Sequence, residues 1–179
     1  MELTKAMETR RSIRAYKAGQ TVEKGALEEM VKAAQLAPSW KNSQTARYYV
    51  IATPEKLAEV REKCLPEFNQ KNVADAAALI VTTFVKNRAG FDREGNADNE
   101  LGNEWGAYDL GLASQNMLLK ATELGLSTLV MGIRDEKALR AELAIPDDQE
   151  VVSVIGVGYG VEEPEMPKRK DLEKVAVFF

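Results

Sequence analysis

No histidine occurs anywhere in the 179 residues, and cysteine occurs once. Without an imidazole there is no His-based zinc cage, no Ser-His-Asp triad and no Cys-His pair. With Cys64 alone no internal disulfide can form, and the cytoplasm is the expected compartment. No apolar run reaches the roughly 18 residues of a membrane span, so no membrane association is expected. The opening MELTKAMETRR also lacks the apolar middle of a signal peptide. Positive charge is in deficit, with 24 basic against 28 acidic side chains. Nucleic acid is therefore not an expected partner, because binding to a phosphate backbone wants a basic face. Repeats, low-complexity stretches and linkers are missing too, so residues 1–179 are expected to form a single domain with a real core.

What is present is a mixed α and β pattern. Leu27, Met30, Val31 and Ala34 recur at helical spacing after Thr21, a candidate N-cap, which predicts a helix over about 22–36. Pro38 closes it. RYYVIA (47–52) is β-rich, and Thr53-Pro54 opens the next helix. ALIVTTFV (78–85) is a nearly continuous apolar run, the mark of a strand buried on both faces. The polar, glycine-rich stretch 87–102 reads as a loop or lid. A long helix follows over about 103–125, then a short strand at 127–131, a helix capped by Asp135, and a strand over 150–160. The order α-α-β-α-β-α-β-α-β predicts an α+β fold, a three-layer α/β/α sandwich around one sheet.

Common site signatures fail. GVGYG (156–160) ends a strand, but VEEPEMP follows and cannot open the helix that a dinucleotide fingerprint needs. No GxxxxGK[ST] loop exists, and the acidic residues of 92–100 miss the calcium-loop spacing. Two basic clusters remain: Arg10-Arg11-Ser12-Arg14 near the start and Lys168-Arg169-Lys170 near the end. Guanidinium forks beside a hydroxyl and backbone N–H groups are the chemistry of phosphate recognition. An extended SIRAY would put Ser12 and Arg14 on one side and Ile13 on the other. A third element, Pro38-Ser39-Trp40 with Asn42, Ser43 and Gln44, sets neutral hydrogen-bonding groups beside an aromatic, which suits a flat heterocycle with polar edges. VMGIRD (130–135), taken alone, is a tight turn before the Asp135-capped helix.

Along nearly its whole length the chain resembles the nitroreductase family of FMN-dependent NAD(P)H oxidoreductases. Arg10, Ser12 and Arg14 match the family's R-x-S-x-[RK] segment. Ala37, Pro38, Ser39, Asn42 and Gln44 match A-P-S-x-x-N-x-Q. The helix from Glu104, its Gly125-Leu126 end, the turn at Gly132, the strand VIGVGY and the late Arg169 follow in the family's order. Two departures stand out: Thr45-Ala46 replaces a common Pro-Trp, and Asn72 stands where some members carry a lysine.

The resemblance implies FMN as cofactor, NAD(P)H as electron donor and a small-molecule acceptor. It implies that Arg10, Ser12 and Arg169 hold the phosphate, with Arg11 on the phosphate or the ribityl chain. Arg14 would approach the N1/O2 edge of the flavin ring, where negative charge develops, as an electrostatic stabiliser. Asn69 and Asn72 would meet the pyrimidine edge, and Met131, Gly132 and Ile133 would lie near N5. Pro38, Ser39, Trp40 and Asn42 would border the flavin from a partner subunit in an intertwined homodimer, around a mostly antiparallel central sheet. The missing histidine then makes sense, because the cofactor carries the chemistry and the protein supplies orientation and charge. The implied activity is ping-pong, two-electron reduction of nitroaromatics, quinones or related electrophiles. Alternatives are another chemistry on the same fold, such as dehalogenation or flavin fragmentation, and a flavin carrier or sensor without turnover.

The residues add their own argument for a dimer. Leu110, Ala113, Met117, Ala121 and Leu124 form one stripe of the long helix, while Trp105, Tyr108, Leu112, Leu119 and Leu126 add apolar surface beyond it. Such a helix is expected to be buried on more than one side. The terminal VAVFF (175–179) is β-prone and apolar, a sticky edge if left exposed. It is expected to pack across a partner or, alternatively, to add an edge strand to its own sheet. Cys64, flanked by Leu57, Val60 and Leu65, reads as core.

Overall fold

The computed structural model describes residues 2–179. Four strands form one antiparallel sheet in the order β1-β2-β4-β3, with β1 at Ala46–Ile51, β2 at Ala78–Val85, β3 at Ser127–Met131 and β4 at Gln149–Gly158. β2 and β4 are the inner strands, and seven of the eight β2 residues are buried, as its unbroken apolar run predicts. Helices α2 (Lys24–Gln35) and α5 (Glu104–Glu123) cover one face. There Leu27, Met30, Ala113, Met117 and Ala121 pack on Ile80, Ile155 and Val157. Helices α3 (Pro54–Cys64) and α6 (Glu136–Leu143) cover the other, where Leu57, Val60, Cys64 and Leu139 meet Leu79, Val81, Leu129 and Val154. The three layers are the expected sandwich, with α1 (Leu3–Thr9) packed against α5 and α4 (Glu67–Asn72) against α3.

Three details differ from the pattern read in the sequence. Thr21 does not cap α2. The helix starts at Lys24 after Glu23, because the preceding stretch stays irregular and delivers Val22 into the cluster of Leu27 and Ile80. α4 is a short helix that Pro66 precedes, too brief to show apolar periodicity. The glycines of GVGYG serve packing. A Cβ on Gly156 would sit 2.7 Å from Val73 Cγ1, and one on Gly158 would sit 2.8 Å from the Tyr16 ring. Both are tighter than close-packed atoms allow.

The segment after α1 runs along the outer edge of β3. Ser12 bridges Thr128 in parallel, the Ile13 N–H donates to Thr128 O at 3.0 Å, and Tyr16 bridges Gly160. Ile13 and Tyr16 are buried while Ser12 and Arg14 are exposed, the alternation expected of an extended strand. The opposite edge, β1, has no neighbour among the described residues. The terminal VAVFF does not fill it: Val175, Val177, Phe178 and Phe179 are all exposed, and the tail carries only a short turn at Leu172–Lys174. No helix is long and apolar enough to cross a membrane among the described residues.

Candidate functional site

The two basic clusters lie about 160 residues apart in sequence, yet Arg10 of the first feels the charge of Arg169 of the second. Arg10 ends α1, and its guanidinium pKa lies below the ordinary arginine value, first through partial burial and then through the charges of Arg11 and Arg169. None of Arg10, Arg11, Arg14 or Arg169 forms an ion pair among the described residues. Crowded cations with no carboxylate partner are an unfinished electrostatic arrangement, and a dianion would complete it. Arg10 and Arg11 line a cleft of about 440 Å³ with Thr9, Ile13 and the Gly125–Thr128 turn, and Glu162 and Glu163 also border it. Arg11 is partly committed already: its Nη1 donates to the carbonyls of Glu8 and Arg10, closing the end of α1. Arg14 is exposed and acts on the buried Tyr16, whose hydroxyl pKa is raised by burial and pulled back by the Arg14 charge.

A second group gathers at the end of β3. Asn69 on α4 is buried and donates through Nδ2 to Ile133 O at 2.8 Å. Asn72 Nδ2 reaches Asn69 Oδ1 at 3.4 Å. The Asp135 N–H donates to Cys64 O at 2.8 Å, so α3 and α4 together clamp the turn Met131-Gly132-Ile133. Met131 is buried, Ile133 is 65% exposed, and a Cβ on Gly132 would meet no atom within 4 Å, so the backbone there faces open space. Asn69 thus acts from inside on the turn, with its Nδ2 already engaged.

The third group is the loop of Pro38, Ser39, Trp40 and Asn42, and it lies elsewhere. Its anchor is Asp109, on the buried side of α5, whose Oδ2 accepts the Trp40 N–H at 2.8 Å. Burial pushes the Asp109 carboxyl pKa up, and the Trp40 N–H draws it back. Trp40 packs on Trp105 with ring centroids 4.6 Å apart, and Trp105 meets Tyr108 edge-on at 5.6 Å. Ser39 Oγ accepts the Gln44 N–H at 3.0 Å, and Lys41 pairs with Asp98 at 2.7 Å. Lys41, Asn42 and Gln44 all have positive φ, 47°, 56° and 48°. Each such non-glycine residue costs on the order of 1 kcal/mol, and strain of this kind collects at functional turns.

The polar stretch 87–102, read as a loop or lid, is pinned. The Asn87 N–H donates to Asn103 Oδ1 at 2.7 Å, Asn103 Nδ2 returns to Asn87 Oδ1 at 2.9 Å, and Trp105 Nε1 donates to Asn99 Oδ1 at 2.9 Å. Between this loop and Trp40 lies a cleft of about 730 Å³, which Asn42, Arg88 and Phe91 also line.

The arginine cleft touches α5 at Thr122, while the Trp40 loop is tied to it at Asp109. At 1.5 Å per residue these points lie roughly 20 Å apart along the helix. One chain therefore unites the arginines from its two ends, and unites Asn69, Asn72 and Ile133, but it does not bring the Trp40 loop to the arginines. Among described residues no group of three or more His, Cys, Asp or Glu side chains is placed to hold a metal. Sequence reasoning missed Asp109 as an anchor. Its signal was a carboxylate at position 109 on a face otherwise held by Gly106, Leu110, Ala113 and Met117.

Residues 7–159 match the Nitroreductase family. A protein of Archaeoglobus fulgidus, provisionally named as an NADH dehydrogenase/NAD(P)H nitroreductase, is 33% identical over 175 residues, covering 95% of this chain and 92% of that protein. The crystal structure of a nitroreductase family protein from Clostridium difficile 630 superposes with a TM-score of 0.77 at 26% identity, over 99% of this chain and 98% of that one. CLA-ER, an enone reductase of gut-bacterial fatty acid saturation, superposes with a TM-score of 0.86 at 20% identity, over 99% and 97%, a likeness of fold alone.

Proposed function

The chain belongs to the nitroreductase family, and from that premise we propose that it is an FMN-dependent NAD(P)H oxidoreductase, reducing nitroaromatics, quinones or related electrophiles in ping-pong two-electron steps. What carries the reading is Arg10, which lines the cleft with Arg11 and also feels the charge of Arg169 from the far end of the chain, with no ion pair for any of the three among the described residues. The residues present fit a phosphate monoester there. Arg10 and Arg169 would bind it by charge-assisted hydrogen bonds, and the exposed Ser12 hydroxyl would add a neutral one. FMN, when bound, supplies the redox chemistry, taking a hydride equivalent from NAD(P)H and giving two electrons to the acceptor.

Every other part is played by the chain. Arg14 would stabilise negative charge at the N1/O2 edge of the ring with its guanidinium. The Met131-Gly132-Ile133 turn, held by Asn69, would offer backbone N–H groups on its open side to N5. Asn72 would meet the pyrimidine edge. Pro38, Ser39, Trp40 and Asn42 wall the ring and exclude water, and they come from a partner subunit. That assignment is supported by the roughly 20 Å between the two groups along α5. It is also supported by the open outer side of α5, where Ala107, Tyr108 and Gly111 are exposed, and by the uncovered apolar tail. The working form in this reading is an intertwined homodimer, with the cytoplasm as its proposed compartment.

The experiment is direct. The purified protein is expected to be yellow, to release FMN and not FAD, and to oxidise NAD(P)H when given a quinone or nitro acceptor. A colourless protein that cannot be reconstituted with FMN overturns the reading. A yellow protein that turns over no acceptor leaves a binder, not an enzyme.

A further inference from the structure

We propose that Asp109 is a positioning residue for the flavin wall, holding the strained Trp40 turn in its working shape through a single part-buried hydrogen bond that its carboxylate accepts from the backbone. The proposal rests on the functional reading above for what the turn borders, and on geometry alone for what holds it. A carboxylate only 6% exposed on the core face of α5 is costly unless it is used. The bond it makes reaches out of its own helix, to the backbone N–H of Trp40 at 2.8 Å. That N–H lies at the entrance to a turn whose backbone is strained. Lys41, Asn42 and Gln44 are left-handed without being glycine. Two backbone bonds, from the Asn42 N–H to Ser39 O at 3.0 Å and from the Ser43 N–H to Trp40 O at 2.8 Å, close the turn on itself but do not tie it to the helix. The side-chain ties, Ser39 Oγ to the Gln44 N–H and Lys41 to Asp98, lie at exposed positions where water competes.

Trp40 also packs at a 45° tilt on Trp105, one turn before Asp109 on the same helix, so the turn is docked on α5 by one ring contact and one charged acceptor. The ring contact fixes where the ring lies but leaves the backbone free to rotate about it. The hydrogen bond fixes the peptide plane of Trp40, and with it the direction in which Lys41 and Asn42 leave. Asn42 and Trp40 are the groups assigned to the wall, so Asp109 sets their direction without touching the ligand.

Trypsin cleavage after Lys41, identified by the mass of the released fragment, reads the turn directly and needs no cofactor. Asp109→Leu keeps the bulk and removes the acceptor, while Asp109→Asn keeps an acceptor oxygen in nearly the same place. The Leu variant is expected to be cut after Lys41 at least tenfold faster than the parent and to bind FMN at least tenfold more weakly. The Asn variant is expected to stay within about threefold of the parent on both measures. A Leu variant as resistant as the parent overturns the proposal, and so does an Asn variant as damaged as Leu. Should Asp109→Leu not fold, amide exchange of the parent decides: the Trp40 N–H is expected to exchange at least a hundredfold more slowly than that of Lys41, and equal rates refute the bond. A parent that binds no FMN defeats the functional reading, and cleavage and exchange then still judge Asp109.

Discussion

Substituting Arg10 or Arg169 should weaken ligand binding, and for Arg169 it should do so without loss of stability in the ligand-free protein. Each guanidinium is assigned one charge-assisted contact with the FMN phosphate, and losing such a contact costs about 1.5–3 kcal/mol. The dissociation constant is then expected to rise roughly tenfold to a hundredfold in Arg10→Ala and in Arg169→Ala. Because both groups act on one phosphate, the double variant should lose less than the sum of the two. Without ligand the balance reverses. Arg169 is exposed, carries no ion pair among the described residues and depresses the Arg10 pKa, so its charge opposes Arg10's. Removing it should leave the ligand-free Tm unchanged or raise it slightly, by an amount in the range of exposed pairs, about 0–1 kcal/mol. Fluorescence titration of FMN at two salt concentrations, with thermal melts of the stripped protein, measures both signs. Wild-type affinity in both variants would reduce the arginines to ordinary surface charge. Weaker binding together with a matching loss of ligand-free stability would show damage to the fold and not to a phosphate site.

Three further outcomes are expected. Asn69→Leu leaves Ile133 O without its partner inside the protein and should cost about 1–3 kcal/mol in urea unfolding; a neutral result would mean that Asn69 does not hold the turn. Cys64 is fully buried, and its thiol pKa is pushed up to about 11, first by burial and then by the charges of Glu142 and Asp135. The native protein at pH 8 should therefore resist a thiol reagent such as iodoacetamide that labels the unfolded chain at once, and fast native labelling would contradict that burial. Deleting residues 172–179 should abolish the dimer, release FMN or cause aggregation. A truncated protein that sediments as a fully flavinylated dimer would remove the tail from the interface.

Much of the fold was legible because a few residues each answer to one physical demand. The run Ala78–Val85 has no polar face, so it could only be an inner strand, and it is one. Pro54 and Asp135 mark helix starts by their own chemistry, and Asp135 Oδ1 does accept the Ala138 N–H at 2.9 Å. Thr21 misled because a cap residue reports what a helix start tolerates, whereas the burial of Val22 decides where the chain turns. The site was legible in a different sense. The arginines of the two chain ends were named together, and the structure brings Arg10 and Arg169 into electrostatic contact. Asn69 was named for its neighbourhood, yet its amide turns inward to Ile133. Asp109 was not named at all. A polar residue on an apolar helix face shows only that some partner exists, and that partner lay 69 residues away.

Asn69 and Asp109 nonetheless act alike, which bears on how a chain with no histidine can position a redox cofactor. Each is buried, each stands on a helix, and each spends a side chain on the backbone of a loop it does not belong to. Asn69 stands on α4 and holds the turn at the end of β3, while Asp109 stands on α5 and holds the Trp40 turn. Loops fixed in this way can present backbone N–H groups and ring faces at set positions, and electrostatic preorganisation requires no more than that. Acid–base side chains are needed where the protein itself must move protons. Where the bound group takes up and gives back electrons, the protein's share is to keep charges and walls still. This chain invests in that share: four guanidiniums with no counter-ion among the described residues, two side-chain anchors for two turns, and a polar loop tied down by reciprocal asparagines.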